Sequence, residues 1–497
     1  MKAKITANKK YVIGEIDPRL YGSFIEHLGR AVYEGIYEPS HPAADDVGFR
    51  TDVLELVKKL NVPIVRYPGG NFVSGYRWED GTGDKAKRPK RMDLAWGAVE
   101  TNEVGVDEFQ EWVRRAGSEV MMTVNLGTRG PEEAAGLVEY CNAETDTYYA
   151  DLRRANGFEK PFGVKVWCLG NEMDGPWQLG HKTAEQYGLL AAEAAKMMKR
   201  ADASIELVAC GATGWGRCGD WDYEVLGHTY GYIDYISLHT YFQNKENDAK
   251  KYLAKTEEAN DYINGVIALC DAVKAKKKSR KTVFLSYDEW NVWYHSIETD
   301  HANRDADRWT RARHQLEDVY NFEDVLVVGS MLMTLQNHAD RVKIACLAQL
   351  VNVIAPIMTE KGGKAWVQTI FYPFFYASNY GRGTALRALI ESETYDVEGR
   401  KGVPYLVASV VHNPAADEVV VYAVNRSLDE ETELEVELER FDGYRLVGHT
   451  ELYADDLKAV NDKDAERVSP APVPLREDGK IVLKKHSWNM LRYRANG

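Results

Sequence analysis

The stretch VKVWCLGNE at residues 164–172 is an apolar run of strand length that ends in an amide and a carboxylate. Similar apolar runs recur along the chain, and they predict eight strands at residues 20–28, 63–68, 120–126, 164–169, 205–210, 235–239, 283–287 and 342–347. Their side chains are apolar throughout rather than alternating, which is typical of parallel strands that are buried on both faces.

Longer helical patterns separate these strands. They predict helices at residues 52–60, 107–116, 183–201, 247–278 and 319–337. Strands that alternate with helices over roughly 360 residues predict a (β/α)8 TIM barrel. The competing fold, a doubly wound open sheet, is disfavoured because PGGN at residues 68–71 lacks the G-x-G-x-x-G pattern of a dinucleotide site. We therefore expect no cofactor.

The pattern changes after residue 383, where β-rich segments follow one another at residues 405–412, 418–425, 431–439, 481–484 and 487–493. In residues 431–439, threonine, leucine and valine alternate with glutamates, as in a strand with one wet and one dry face. We predict a barrel at residues 19–383 and an antiparallel, jelly-roll-like β-sandwich at residues 384–497. A strand within residues 1–18 is expected to pair into the sandwich.

Composition excludes several classes of protein. The 497-residue chain carries a net charge of -14, and its short basic run at residues 85–91 lacks aromatic neighbours, so we expect no nucleic-acid partner. No apolar run approaches about 18 residues, which excludes a transmembrane helix and a membrane partner. The N-terminus lacks an apolar signal segment, and the six cysteines form no C-x-x-C pair. These features predict a cytoplasmic protein with buried free thiols.

Polar side chains are concentrated where the predicted strands end, which is where barrel enzymes carry their catalytic residues. Glu172 follows the fourth strand and Glu289 follows the seventh, so the two carboxylates are expected to face each other across the barrel mouth. Cleavage of a glycosidic bond needs such a pair, one acid to protonate the leaving oxygen and one carboxylate to attack or to activate water. Other strand-end candidates are Glu26, His27, Arg66, Asn71, Asn125, Asn171, His239, Tyr241, Asp288, Asn291, Gln349 and Asn352.

Each candidate also has a purely structural interpretation. A single glutamate after a strand is usually an exposed neighbour of a helix N-terminus, and Asp288 is expected to support Glu289 rather than react. His27 and His239 could ligate a metal, but no H-E-x-x-H or H-x-H spacing occurs, so we expect no metal site. Tryptophans near the strand ends, namely Trp96, Trp177, Trp290 and Trp293, are either core residues or aromatic walls for a sugar.

Six motifs, in the same order along the chain, resemble glycoside hydrolase family 51, the intracellular α-L-arabinofuranosidases. They include LYGSFIEHLGRAVYEGIYEP at residues 20–39, VRYPGGNFVSGYRWEDG at residues 65–81 and WCLGNEMDGPWQLGH at residues 167–181. The others are AWGAVETNEVGVDEF at 95–109, DEWNVWY at 288–294 and CLAQLVNVIAPI at 346–357. The resemblance implies a retaining barrel enzyme that releases terminal α-L-arabinofuranosyl residues from arabino-oligosaccharides or from arabinan and arabinoxylan fragments.

The resemblance also implies roles for individual residues. Glu172 would be the acid/base and Glu289 the nucleophile of a double displacement, and Arg66 and His239 would support them. Burial and the charge of Glu289 are expected to raise the pKa of Glu172 so that it is protonated before attack. The implied substrate-binding residues are Glu26, Asn71, Asn171, Tyr241, Trp293 and Gln349. A homohexamer is the family's usual assembly.

Two alternatives remain open at this point. A related clan member could act on another glycone, as a β-xylosidase or an endoglucanase does. A catalytically dead barrel could bind carbohydrate without cleaving it, although both glutamates are present.

Overall fold

The computed structural model describes residues 1–495. The strands are β1 Lys2–Ile16, β2 Gly22–Phe24, β3 Ile64–Tyr67, β4 Arg91–Asp93, β5 Ala98–Glu100, β6 Glu119–Val124, β7 Val166–Leu169, β8 Glu206–Ala209, β9 Tyr235–Phe242, β10 Phe284–Val292, β11 Val342–Ala348, β12 Ile357–Thr359, β13 Ala365–Val367, β14 Gly383–Ser392, β15 Thr394–Val397, β16 Arg400–Pro404, β17 Leu406–Asn413, β18 Glu418–Asn425, β19 Thr432–Glu439, β20 Tyr444–Leu452, β21 Ala471–Pro472, β22 Ile481–Leu483 and β23 Ser487–Ala495.

The α-helices are α1 Thr51–Leu60, α2 Val106–Ala116, α3 Pro131–Asn142, α4 Tyr148–Ala155, α5 Ala184–Ala201, α6 Asp220–Thr229, α7 Ala249–Leu253, α8 Lys255–Lys276, α9 Ile297–Ala302, α10 Phe322–Gln336 and α11 Phe371–Tyr380.

Eight parallel strands close into a barrel in the order β10-β11-β2-β3-β6-β7-β8-β9. Each corresponds to one of the predicted apolar strands, so the predicted TIM barrel is confirmed. The first strand is shorter than expected, because it leaves the ladder after Phe24. The backbone N–H groups of Ile25 and His27 then donate to Arg66 and Pro68 at distances of 3.0 and 3.1 Å. This path ties the segment around Glu26 to the end of β3.

Two barrel strands run further than predicted. The ladder between β9 and β10 continues to the pairs Asn291–Tyr241 and Val292–Phe242, so Glu289 and Tyr241 lie within strands rather than after them. Polar side chains are tolerated there because they point into the open mouth of the barrel. The predicted helix at residues 247–278 is two helices, α7 and α8, which meet at Ala254.

The C-terminal strands form a mainly antiparallel sheet of nine strands, in the order β21-β20-β23-β18-β17-β14-β1-β19-β22. The first strand of the chain, β1, lies between β14, to which it is antiparallel, and β19, to which it is parallel. Hydrogen bonds join all nine strands into a single sheet. In β19 the expected alternation holds at its start, where Thr432 and Leu434 are buried, while Glu435 and Glu437 each pair with Lys4 at 2.9 Å.

The nine-stranded sheet has two apolar faces. One face builds a core of its own from residues such as Ile5, Val421 and Leu491. The other packs on the barrel, where Trp488 is fully buried against helix α10. Gly329 of α10 makes room for it, because a Cβ there would lie 2.4 Å from Trp488 Cδ1. The single tryptophan of the C-terminal region therefore joins the sheet to the barrel.

All six cysteines are free, and all but the half-buried Cys218 are buried, which confirms the expectation of unpaired thiols. Within residues 1–495, no helix combines the length and the apolar character needed to cross a membrane.

Candidate active site

Glu172 and Glu289 lie together at the mouth of the barrel, at the base of a cavity of about 880 Å³. A carboxylate oxygen of each lies within 4.8 Å of the other. Glu172 follows β7 on a loop, whereas Glu289 belongs to β10. Both carboxylates are nearly removed from solvent, with side chains that are 11% and 10% exposed.

The loop that carries Glu172 is conformationally strained. Gly170 has φ 86° and Glu172 has φ 45°, which is the left-handed region that a residue with a Cβ rarely adopts. The backbone N–H of Gly175 donates to the carbonyl of Glu172 at 2.8 Å and closes the turn. Strain of this kind persists only where the surroundings enforce it, and it clusters at functional sites.

Three side chains surround the carboxylate of Glu289. Arg66 Nη1 donates to Oε2 at 2.9 Å, and the hydroxyl of Tyr241 donates to Oε1 at 2.6 Å. His239 Nδ1 lies 3.6 Å from Oε2. Arg66 is itself buried, and its Nη2 donates to Asn171 Oδ1 at 2.7 Å. Both oxygens of Glu289 are therefore held by hydrogen bonds, and Oε2 has positively charged neighbours.

Glu172 has a different set of partners. His239 Nδ1 lies 3.0 Å from Glu172 Oε1, and the indole N–H of Trp177 donates to Oε2 at 2.8 Å. On the far side of the imidazole, Nε2 lies 3.0 Å from Asp288 Oδ1. Asp288 Oδ2 accepts a hydrogen bond from Ser286 at 3.0 Å, so Asp288 supports His239.

The protonation of these groups depends on His239. Burial lowers the pKa of His239, but the charge of Glu289 and hydrogen bonds to Asp288 and Glu172 raise it to about 10. Burial raises the pKa of Glu172, yet the hydrogen bond and charge of His239 outweigh it and lower the pKa below its ordinary value. Burial raises the pKa of Glu289, and the charge of Glu172 adds to this increase. The predicted upward shift of the Glu172 pKa is therefore wrong, because the sequence does not show that His239 contacts Glu172.

A third carboxylate, that of Glu26, lies on the wall of the same cavity. Its Oε1 accepts hydrogen bonds from Phe72 N at 2.9 Å and from the indole N–H of Trp96 at 3.0 Å. Gln349 Nε2 lies 3.4 Å from Glu26 Oε2, and Gln349 Oε1 accepts from Glu26 N at 2.9 Å. Burial raises the pKa of Glu26 to about 8. Between Glu26 and the pair of Glu172 and Glu289, Asn171 Nδ2 donates to Asn71 Oδ1 at 3.4 Å.

This arrangement of carboxylates, amides and indoles fits the site of a glycosidase, and the comparisons with known proteins agree. The chain matches family models described as α-L-arabinofuranosidase 1 domain, at residues 56–260, and α-L-arabinofuranosidase C-terminal domain, at residues 288–487. It is 56% identical to the intracellular exo-α-(1→5)-L-arabinofuranosidase of Halalkalibacterium halodurans, over 99% of both chains. The chain belongs to the α-L-arabinofuranosidases of glycoside hydrolase family 51.

Other relatives support this assignment. The chain is 55% identical to intracellular exo-α-(1→5)-L-arabinofuranosidase 1 of Bacillus subtilis, over 99% of both chains. A solved family 51 α-L-arabinofuranosidase from Bifidobacterium longum has a TM-score of 0.94 at 42% identity and covers 99% of both chains. The Thermotoga maritima α-L-arabinofuranosidase, solved as an arabinose complex, has a TM-score of 0.88 at 34% identity, again over 99% of each chain.

In this family 51 chain, the candidate residues for catalysis and sugar binding lie in one region. Those that line the cavity are Glu26, Asn71, Glu172, His239, Tyr241, Glu289, Trp293 and Gln349, and Arg66 contacts both Glu289 and Asn171 behind them. Trp293 is half-buried and packs edge-on against Tyr241, with ring centroids 5.5 Å apart. Several other strand-end candidates have structural roles instead. Trp290 is fully buried, and Asn291 Nδ2 donates to the carbonyls of Ala348 and Ile354 at 2.8 and 2.6 Å. Asn125, Asn352 and His27 are likewise held by hydrogen bonds within loops or the core.

The sequence indicates Trp96 and Trp177 as aromatic walls but not as hydrogen-bond donors, and in the structure they donate to Glu26 and Glu172. It does not indicate Trp215, which lines the cavity and is 49% exposed. Their position after strand ends was the available signal for Trp96 and Trp177, whereas Trp215 lies in a loop whose course the sequence does not reveal.

Among residues 1–495, the side chains of Glu172, His239 and Glu289 are close enough to hold a metal ion. The Arg66 guanidinium already provides positive charge at Glu289, and the pKa of His239, raised to about 10, keeps a proton on the Nδ1 atom that faces both glutamates. A metal ion would have to displace that proton, so the cluster is better suited to proton transfer than to metal binding.

Proposed function

We propose that this chain is a retaining exo-α-L-arabinofuranosidase that releases terminal arabinofuranosyl residues from short arabino-oligosaccharides. The substrate class is proposed from relatives such as the 56% identical exo-α-(1→5)-L-arabinofuranosidase. The observation that carries the retaining mechanism is the separation of the two carboxylates, of which one oxygen each lies within 4.8 Å of the other. Retaining glycosidases hold the two carboxyl groups about 5–5.5 Å apart, whereas inverting enzymes need about 6.5–9.5 Å to admit a water.

The proposed reaction is a double displacement. In the first step, an oxygen of Glu289 forms a bond to the anomeric carbon while the bond to the leaving oxygen breaks. The proton of Glu172 passes to that leaving oxygen. In the second step, Glu172 takes a proton from water, whose oxygen attacks the anomeric carbon and releases Glu289. Arabinose leaves with its configuration retained after two inversions.

His239 provides the proton arrangement that the first step needs. The 3.0 Å contact between Nδ1 and Glu172 Oε1 holds one proton, which can lie on the imidazole or on the carboxyl group. A shift of this proton within the hydrogen bond produces neutral His239 and protonated Glu172. Asp288 favours the proton that remains on Nε2, because its Oδ1 lies 3.0 Å from that nitrogen. In this proposal, the low pKa of Glu172 and its role as an acid are compatible.

The remaining polar side chains bind and orient the sugar. Tyr241 and Arg66 orient Glu289 by direct hydrogen bonds, and Arg66 also fixes Asn171. Asn171 is proposed to bind the hydroxyl next to the anomeric carbon. Further hydroxyls are proposed to bind Glu26, Asn71 and Gln349. Trp293 is proposed to form the wall near the leaving group.

The linkage and the setting of the reaction follow from relatives. Relatives at 51–56% identity are named exo-α-(1→5)-L-arabinofuranosidases, and one from Bifidobacterium longum at 46% identity is named an exo-α-(1→6) enzyme. We therefore propose the (1→5) linkage for this chain. The relatives named intracellular support a cytoplasmic location and short substrates that can enter the cell. A homohexamer stays a prediction, which the native mass in solution tests.

An enzyme for another glycone, such as a β-xylosidase, is the second candidate. Hydrolysis rates on nitrophenyl α-L-arabinofuranoside and nitrophenyl β-D-xyloside separate the two. The proposal expects kcat/KM on the arabinofuranoside to be higher by about 100-fold or more. Equal rates, or a preference for the xyloside, would contradict the proposal. If neither substrate is hydrolysed, the alternative of a catalytically dead barrel is favoured.

A further inference from the structure

Trp215 is a half-exposed indole on the rim of the active-site cavity, and the double displacement gives it no role. It lies in the loop that follows β8, within a short 3-10 helix that spans Trp215–Arg217. Single exposed apolar side chains are common on protein surfaces and need no ligand. Trp215 differs because its orientation, its neighbours and its position near Glu172 all point to a sugar-binding surface.

A glycine in helix α8 holds the indole in place. A Cβ at Gly265 would lie 2.6 Å from Trp215 Cζ3 and 3.1 Å from Cη2, so the six-membered ring packs directly on the helix backbone. Tyr262 of the same helix adds an aromatic contact, with ring centroids 6.2 Å apart and planes at 52°. The indole is therefore fixed before any ligand binds, which lowers the entropic cost of stacking.

The loop of Trp215 also reaches the residues around Glu172. The guanidinium of Arg217 lies 5.1 Å from the ring centroid of Trp177, and its Nη1 donates to the carbonyl of Asp174 at 3.1 Å. Trp177 in turn donates to Glu172 at 2.8 Å. Glu172 must meet the glycosidic oxygen, so this chain of contacts places Trp215 on the side of the cavity where the leaving group departs.

The cavity has room for more than the sugar that is released. Its volume of about 880 Å³ lies in the range of pockets that enclose drug-sized ligands, well above that of one pentose. The cavity that Trp215 lines is also lined by two charged side chains of α8, Lys255 and Glu258. Lys255 donates a hydrogen bond to Glu258 at 3.3 Å. An apolar ring face beside polar groups is the surface that a sugar needs, because its C–H face is apolar and its edge carries hydroxyls.

We propose that Trp215 forms a second leaving-group subsite, which stacks against the second sugar of the departing chain. This inference rests on the proposed arabinofuranosidase activity and deepens it. A disaccharide has only one sugar beyond the cleaved bond and does not reach Trp215. A trisaccharide has two, so Trp215 determines how strongly the enzyme prefers longer chains.

The test compares kcat/KM for linear (1→5)-linked arabinotriose and arabinobiose. The wild-type ratio is expected to favour the trisaccharide, and Trp215→Ala is expected to lower this ratio by about tenfold. Gly265→Ala provides a second variant, since its methyl group displaces the ring from α8 while alanine favours the helix. It is expected to lower the ratio in the same direction. Tyr148→Ala, an exposed aromatic on α4, is the matched control with an unchanged ratio.

An unchanged ratio in Trp215→Ala, or a wild-type ratio near one, overturns the subsite. A change in native mass without a change in ratio also overturns it, because the indole would then be a subunit contact. Failure of the proposed function is distinguishable from these results. In that case the wild-type protein releases no arabinose from nitrophenyl arabinofuranoside or from either oligosaccharide.

Discussion

His239 Nδ1 lies 3.0 Å from Glu172 Oε1 and 3.6 Å from Glu289 Oε2, so a single imidazole faces both carboxylates of the site. The charge of this imidazole affects the protonation of both glutamates. It also links them to Asp288, which lies 3.0 Å from Nε2.

His239→Asn is expected to shift the acidic limb of the kcat/KM profile to higher pH. The pKa of His239 is raised to about 10, so the imidazole is charged throughout the neutral range. Its removal leaves Glu289 with one positive neighbour fewer, and the pKa of the nucleophile rises. The measurement is a pH profile on nitrophenyl arabinofuranoside, with exposed His301→Asn as the control. An unshifted limb together with a reduced rate would mean that His239 only supports the fold.

Glu172→Gln is expected to affect substrates according to their leaving groups. Hydrolysis of arabino-oligosaccharides should fall by roughly 100- to 10,000-fold, because the leaving oxygen receives no proton. Formation of the intermediate from a dinitrophenyl arabinofuranoside should fall far less, since that leaving group needs little protonation. Pre-steady-state release of dinitrophenol measures the first step alone. Equal losses on both substrates would contradict the role of Glu172 as the acid.

Glu26→Gln is expected to stabilise the protein at alkaline pH while it lowers activity. Burial raises the pKa of Glu26 to about 8 in the folded state, above its ordinary value of 4.5. Its contribution to stability is therefore fully present below pH 4.5 and is lost as the pH rises through 8.

A glutamine cannot ionise, so the variant should gain roughly 5 kcal/mol in the free energy of unfolding at pH 9, since each unit of the pKa shift corresponds to about 1.4 kcal/mol, and nothing at pH 4. Urea unfolding at both values measures this, with the exposed Glu132→Gln of α3 as the control. If the variant's free energy of unfolding falls below that of the wild type by the same amount at both pH values, then ionisation of Glu26 does not destabilise the folded protein.

Gly329→Ala is expected to weaken the contact between the barrel and the nine-stranded sheet. The added Cβ would lie 2.4 Å from Trp488 Cδ1, and overpacking of this kind costs about 1–3 kcal/mol. Gly227→Ala on α6 is the matched control, because nothing lies within 4 Å of a Cβ there. It should stabilise the helix by about 0.5–1 kcal/mol. Thermal unfolding measures the stability of both variants. A loss of stability in both variants, or in neither, would contradict the proposed packing of Trp488 on Gly329.

The sequence predicts the barrel well because eight buried parallel strands leave eight uninterrupted apolar runs. It predicts strand ends less well where polar residues continue a strand into the mouth, as Glu289 does in β10. The carboxylates of Glu172 and Glu289 could be named because strand order brings their positions together. The protonation of Glu172 could not be predicted from the sequence, since it depends on the 3.0 Å contact with His239 on another strand.

The sequence does not predict the contacts that the loops make with the helices. Trp215 and Gly265 are 50 positions apart, and nothing in either neighbourhood indicates that the ring packs on that helix. Likewise, the insertion of β1 between β14 and β19 depends on long-range pairing, so the sequence predicts the strand but not its neighbours.

The most direct test of the proposed mechanism is the configuration of the sugar at the moment of release. Proton NMR of the first minutes of nitrophenyl α-L-arabinofuranoside hydrolysis, before mutarotation, identifies the anomer that forms first. Carboxylate oxygens within 4.8 Å of each other predict the α-anomer, from two successive inversions at the anomeric carbon. Initial formation of the β-anomer would contradict the double displacement and the role of Glu289 as nucleophile.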